Sequence, residues 1–140
     1  MNPLFIPVLA GAITALLLAA AGRLTRFDRD RSFWPTVLIV IASYYLLFAV
    51  MGGDMSALLQ ESAVILAFAA VALLGAFRWP VLVGVGIVAH GVFDLLHGHV
   101  ITNPGVPVWW PAYCAAVDVL LGAWVIGCAL RAGQRQPDSY

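Results

Sequence analysis

The stretch VLVGVGIVAHGVFDLLHGHV, residues 81–100, is an apolar run interrupted by His90, Asp94 and His97 at the spacing i, i+4, i+7. Its length matches the roughly 20 residues that carry a helix across about 30 Å of hydrocarbon. The spacing puts the three polar residues on one stripe of that helix. An ionisable side chain turned toward lipid costs on the order of 2.5–3.5 kcal/mol by insertion scales, and more by other measures. The stripe must therefore face protein or a wet cavity, which makes it the leading functional candidate in the chain.

The remaining sequence agrees with a membrane setting. Of its 140 residues, 63% are hydrophobic and 10% charged, and the mean hydropathy is +0.97. A soluble domain is nearer half apolar and about a quarter charged. Apolar runs at about 3–22, 33–52, 56–77, 80–99 and 109–130 predict five spans. The fold class is an all-α membrane protein, a compact bundle of about five transmembrane helices. Residues 1–132 form one domain, and 133–140 a polar tail. Gly84, Gly86, Gly91 and Gly98 predict a fourth helix distorted near its polar end. The small-residue zone Ala19-Ala20-Ala21-Gly22 resembles a signal-peptide cleavage region. No basic residue precedes the apolar run, so the segment reads as a retained first span.

The seven basic residues are all arginines: Arg23, Arg26, Arg29 and Arg31 after span one, Arg78 after span three, Arg131 and Arg135 after span five. With five spans these places share one face of the membrane. The positive-inside rule makes that face cytoplasmic, with the N-terminus outside, as expected for a multi-pass protein of a bacterial inner membrane. Trp34-Pro35, Trp79-Pro80 and Trp110-Pro111 each open a span, with tryptophan at headgroup level and proline in the first helical turn. Asp28-Arg29-Asp30-Arg31 reads as a solvated loop, and Thr102 to Pro107 as a short, stiff one. Cys114 and Cys128 lie about 21 Å apart on one helix, too far to bridge, and no CxxC suggests redox work. No basic patch suggests a nucleic-acid partner.

Helical rise places further polar groups at one level in the outer half of the bilayer. Glu61 and Asp94 fall about 9 Å below the outer ends of their spans, Tyr44 and Tyr45 about 11–12 Å, Asp118 about 14 Å and His90 about 15 Å. His97, His99 and Asp54 lie nearer the mouth, and span one brings only Thr14. Glu61, Asp94 and Asp118 have no lysine or arginine on their half. Buried carboxylates so placed take up protons or find a cation. Imidazoles beside carboxylates are ligands for zinc, iron or manganese. The expected metal ligands are His90, Asp94 and His97, with Glu61 and Asp118 as catalytic acid–base groups. Tyr44, Tyr45, Asp54, His99 and Cys114 are further pocket candidates.

Blander roles compete with each of these. An intramembrane histidine is commonly a hydrogen-bonded bridge between helices, and Glu61 and Asp118 can serve the same way. Cys114 suits packing, and only one of Tyr44 and Tyr45 can face the cluster. His99 lies about 200° around the helix from His97 and is expected at the interface.

His90-Gly-Val-Phe-Asp94-Leu-Leu-His97-Gly-His99, then Asn103-Pro-Gly-Val-Pro-Val-Trp-Trp-Pro-Ala-Tyr-Cys114 and Asp118, resembles a family of small bacterial integral membrane proteins, as does Phe33 to Tyr45. The resemblance covers most of the chain and brings no activity, substrate or ligand with it. The absence of lysine removes a retinal Schiff base, and the absence of HExxH leaves a zincin-like protease unsupported. Asp94-x-x-His97 is similar to the carboxylate-x-x-His unit of di-iron bundles, but those use two such units and this chain has one.

Three functions fit the pattern. The first is a metal-dependent hydrolase-like or acid–base enzyme acting on a lipid-like substrate. The second is a small metal-ion or proton transporter working as a homo-oligomer, although spans two to five offer little beyond Thr36 to line a path in the cytoplasmic half. The third is a structural or accessory subunit whose polar layer locks helices together.

Overall fold

The computed structural model describes residues 3–134. Its helices are α1 (Phe5–Thr25), α2 (Phe33–Gly52), α3 (Met55–Phe77), α4 (Pro80–Val100) and α5 (Trp110–Gln134), with one 3₁₀ turn (Phe27–Arg29) between α1 and α2. All five are long and apolar enough to cross a bilayer. The chain is an all-helical, multi-pass membrane protein. Large apolar side chains such as Leu16, Leu59, Leu66 and Leu95 point outward over the whole length of the bundle, where lipid covers them. Helix α5 continues through Gly133 and Gln134. Arg135 and the rest of the expected polar tail lie outside the described residues.

Local chemistry sets the helix ends. Asp54 caps α3 by accepting from the Ser56 and Ala57 amides at 2.9 and 3.0 Å, which satisfies two otherwise orphaned N–H groups. Gly53 ends α2 in the left-handed conformation at φ 66°, where glycine carries no Cβ penalty. Pro80 stands in the first turn of α4. In the loop before α2, the Asp30 carboxylate accepts from the Ser32 amide at 2.8 Å and hydroxyl at 2.7 Å. These bonds favour its charged form and hold its pKa below the usual carboxylate range.

Helix α4 runs unbroken to Val100 despite its glycines. Gly84, Gly86 and Gly91 serve packing against neighbouring side chains and backbone, while a Cβ on Gly98 would meet nothing within 4 Å. A Cβ on Gly84 would stand 2.8 Å from the Ile126 nitrogen, and one on Gly122 would stand 2.8 Å from the Gly84 carbonyl. Only bare backbones allow α4 and α5 so close, the small-residue packing expected between membrane helices. This is the most extensive helix pair in the bundle, followed by α1 on α5 and α2 on α3. Helix α1 meets α2 at the arginine-bearing end, where Gly22 faces the Phe33 and Trp34 rings.

Candidate metal centre

The α4 stripe faces the bundle interior. His90, Asp94 and His97 are each 1–2% exposed. Close approach of α5 adds Asp118, since a Cβ on Gly91 would come within 3.0 Å of the Asp118 Cβ. His90 Nδ1 lies 2.7 Å from Asp118 Oδ2 and 3.7 Å from Asp94 Oδ2. One ligand atom from each of His90, Asp94 and Asp118 lies within 4.8 Å of the others. Such a buried group can hold a metal ion.

The second half of the stripe belongs to a different pair. His97 Nε2 lies 2.7 Å from Glu61 Oε1 on α3. Asn103, in the loop between α4 and α5, donates to Glu61 Oε1 and to the Tyr45 carbonyl, both at 3.0 Å. Gly105 makes that loop fit, because a Cβ there would overlap the Phe48 carbonyl. The structure thus brings four of the five expected metal and catalytic residues into two His–carboxylate pairs, with Asp94 beside the first. His97 is outside the His90–Asp94–Asp118 group, since seven residues along a helix carry it about 10 Å toward the loop end.

Tyr45 connects the two pairs. It is buried, stacked on His97 with ring centres 3.9 Å apart and planes 14° apart, and 6.1 Å from the His90 ring. Phe68 and Phe93 close around His90 at 4.9 and 6.0 Å. The other sequence candidates take separate places. Tyr44 turns away to pack on Trp110 at 5.1 Å, His99 is exposed, and Asp54 is occupied as a helix cap. Cys114 is buried one turn from Asp118. Sequence reasoning missed Asn103. Its signal was available as the one amide side chain in a stiff loop adjoining the mouth of the bundle.

Hydrogen bonding differs sharply between the pairs. His90 Nε2, both Asp94 oxygens, Asp118 Oδ1 and the Tyr45 hydroxyl are buried with no hydrogen-bond partner among the described residues. In the second pair this holds for Glu61 Oε2. A buried polar atom left unpaired costs about 1–3 kcal/mol, and natural structures contain few of them. Three of them, both Asp94 oxygens and Asp118 Oδ1, belong to the residues whose ligand atoms lie within 4.8 Å of one another, which fits a place where something else binds. His90 Nδ1 is the ring nitrogen that faces both carboxylates, so it is the atom that an ion between the three residues would meet.

Comparison with known proteins returned no matching family, no curated relative and no matching solved structure. What the cluster does has to be read from its own chemistry.

Proposed function

We propose that this protein is a membrane enzyme that holds a divalent ion, zinc, iron or manganese, between His90, Asp94 and Asp118 and performs hydrolytic or acid–base chemistry on a lipid-like substrate. The observation that carries this is the buried group of three ligand atoms, one each from His90, Asp94 and Asp118, within 4.8 Å of one another, in which both Asp94 oxygens and Asp118 Oδ1 have no hydrogen-bond partner among the described residues. A divalent ion there would supply a Lewis acid and a water of lowered pKa. His90 Nδ1 faces Asp94 and Asp118, the Tyr45 hydroxyl lies beside Asp94, and Glu61 with His97 can hold a proton on the loop side of Tyr45.

The arginine-bearing end is assigned to the cytoplasm and the loop end to the outside of a bacterial inner membrane, on the positive-inside rule. The chain is placed among the small bacterial integral membrane proteins that its 90–118 stretch resembles. Transport is disfavoured by what lies on the arginine side of the cluster. Leu38, Ile87 and Leu121 are at most 1% exposed and pack together there, an apolar plug across that side of the bundle interior.

Elemental analysis of the purified full-length protein tests the proposal. Stoichiometric zinc, iron or manganese is expected, and it should be lost in Asp94→Leu without loss of the folded protein. Wild-type protein that stays metal-free after incubation with each of these ions would sink the metal reading.

A further inference from the structure

Between α1 and α2, floored by α5, runs a cavity of about 380 Å³ that reaches Asp118 and Cys114. Because α1 packs along α5 and meets α2 at the arginine-bearing end, the two helices leave a crevice between them. Its rim residues Leu18, Val40 and Tyr44 are 37–48% exposed, so it opens sideways toward lipid. Its volume falls within the ~300–1,000 Å³ range of small-molecule sites. From Phe33 to Tyr44 it extends along α2 for about 16 Å. That is close to the roughly 15 Å depth of a single hydrocarbon leaflet.

Two features make the crevice more than a gap between helices. Asp118 is 0% exposed, lines the crevice, and its Oδ1 has no partner. Trp110 lines the other end, and its indole N–H is likewise buried without a partner. Thus one orphaned acceptor and one orphaned donor stand about 12 Å apart along α5. The crevice wall carries no arginine, lysine or histidine. With the two carboxylates of Asp94 and Asp118 already balancing a divalent ion and no basic side chain on the crevice wall among the described residues, a phosphate or carboxylate head would bring in a charge with no counter-charge to meet it. An ammonium head would have to be stripped of water to share a carboxylate already bonded to His90, which is also unfavourable.

We propose that the crevice is the binding site for one uncharged, hydroxyl-bearing hydrocarbon chain, a long-chain or isoprenoid alcohol, that slides in from the bilayer between α1 and α2 and donates its hydroxyl to Asp118. This rests on the proposed function, for which it names the substrate class. The hydroxyl reaches the edge of the His90–Asp94–Asp118 group, and the chain lies along the helix axes from there toward Phe33, with Trp110 at the opposite end of the crevice. Cys114, one turn from Asp118, narrows the approach without ligating.

Photolabelling of the full-length protein in lipid nanodiscs tests this, using a long-chain alcohol and a fatty acid of equal length, each carrying the same diazirine. The alcohol is expected to label α2 and α5 peptides lining the crevice, and the acid at least about tenfold less. Val40→Trp on one wall and Leu18→Trp on the other, both at half-exposed positions that tolerate bulk, should each cut alcohol labelling by a similar factor while leaving metal content unchanged. Equal labelling by acid and alcohol, labelling spread evenly over lipid-facing residues such as Leu66 and Leu95, or insensitivity to both tryptophans would overturn the proposal. Crevice labelling in a protein that never binds metal would keep this site and remove only the metal reading.

Discussion

Two His–carboxylate pairs sit on one face of α4, and they differ in how completely their hydrogen bonds are used. The loop-end pair, His97 with Glu61, is tied down by Asn103 to α2 and α3 and leaves one oxygen unpaired. The deeper pair, His90 with Asp118, has Asp94 alongside and is ringed by unpartnered atoms. The same residue types at the same 2.7 Å separation thus serve different ends. The more fully bonded pair joins helices, whereas the less bonded one keeps valences for a ligand. Within a low-dielectric interior this distinction is expensive to maintain without a purpose.

The largest effect that would break the contrast is on metal binding. Asp94→Leu should lower affinity by more than the ~10–100-fold typical of losing a supporting partner. Because neither Asp94 oxygen has a hydrogen-bond partner among the described residues, its removal breaks no such bond there, and the protein should stay folded. Metal titration followed by thermal unfolding checks both halves. His97→Phe should do the reverse. It leaves Glu61 buried beside Asn103 alone and should cost roughly 3–5 kcal/mol of stability. Metal stoichiometry in the surviving folded fraction should stay unchanged, and the double variant His97→Phe/Glu61→Leu should recover most of the loss. If His97→Phe removes the metal as Asp94→Leu does, the two pairs form one site and the comparison fails.

A smaller effect is expected at the loop. Asn103→Ala removes donors to Glu61 and to the Tyr45 carbonyl, a loss of about 1–3 kcal/mol by the cost of leaving buried acceptors unmet. It should accelerate hydrogen exchange in residues 101–109 more than elsewhere. The smallest effect lies outside the membrane. Asp30 has its pKa depressed by Ser32, so its contribution is present above the ordinary carboxylate range, near 3.9, and is lost as pH falls through the lowered folded value. Asp30→Ala should therefore flatten the acid limb of the stability curve slightly, and unfolding midpoints measured across that range would show it.

Much of this was legible in the sequence because the membrane simplifies the rules. Apolar run length and arginine placement define the helices and separate the two ends of the bundle. The i, i+4, i+7 stripe of His90, Asp94 and His97 shows which face of α4 turns inward, and depth along each helix brings Glu61 and Asp118 to it. The division of those residues into two pairs was not legible. It depends on how far α5 slides toward α4, which Gly84, Gly91 and Gly122 permit but do not announce. Asn103 was hidden for a related reason, since its partner Glu61 lies 42 positions away and only the folded loop aligns them. The crevice follows from α1 choosing α5 over α2, a matter of helix neighbours that hydropathy does not encode.

The confinement of every arginine among the described residues to one end, in a chain without lysine, has a practical consequence. Trypsin added to one side of sealed vesicles finds cleavable bonds only if that side bears the loop between α1 and α2, while from the opposite side it finds none. The protein therefore reports its own sidedness to a common protease, with no tag or fusion needed.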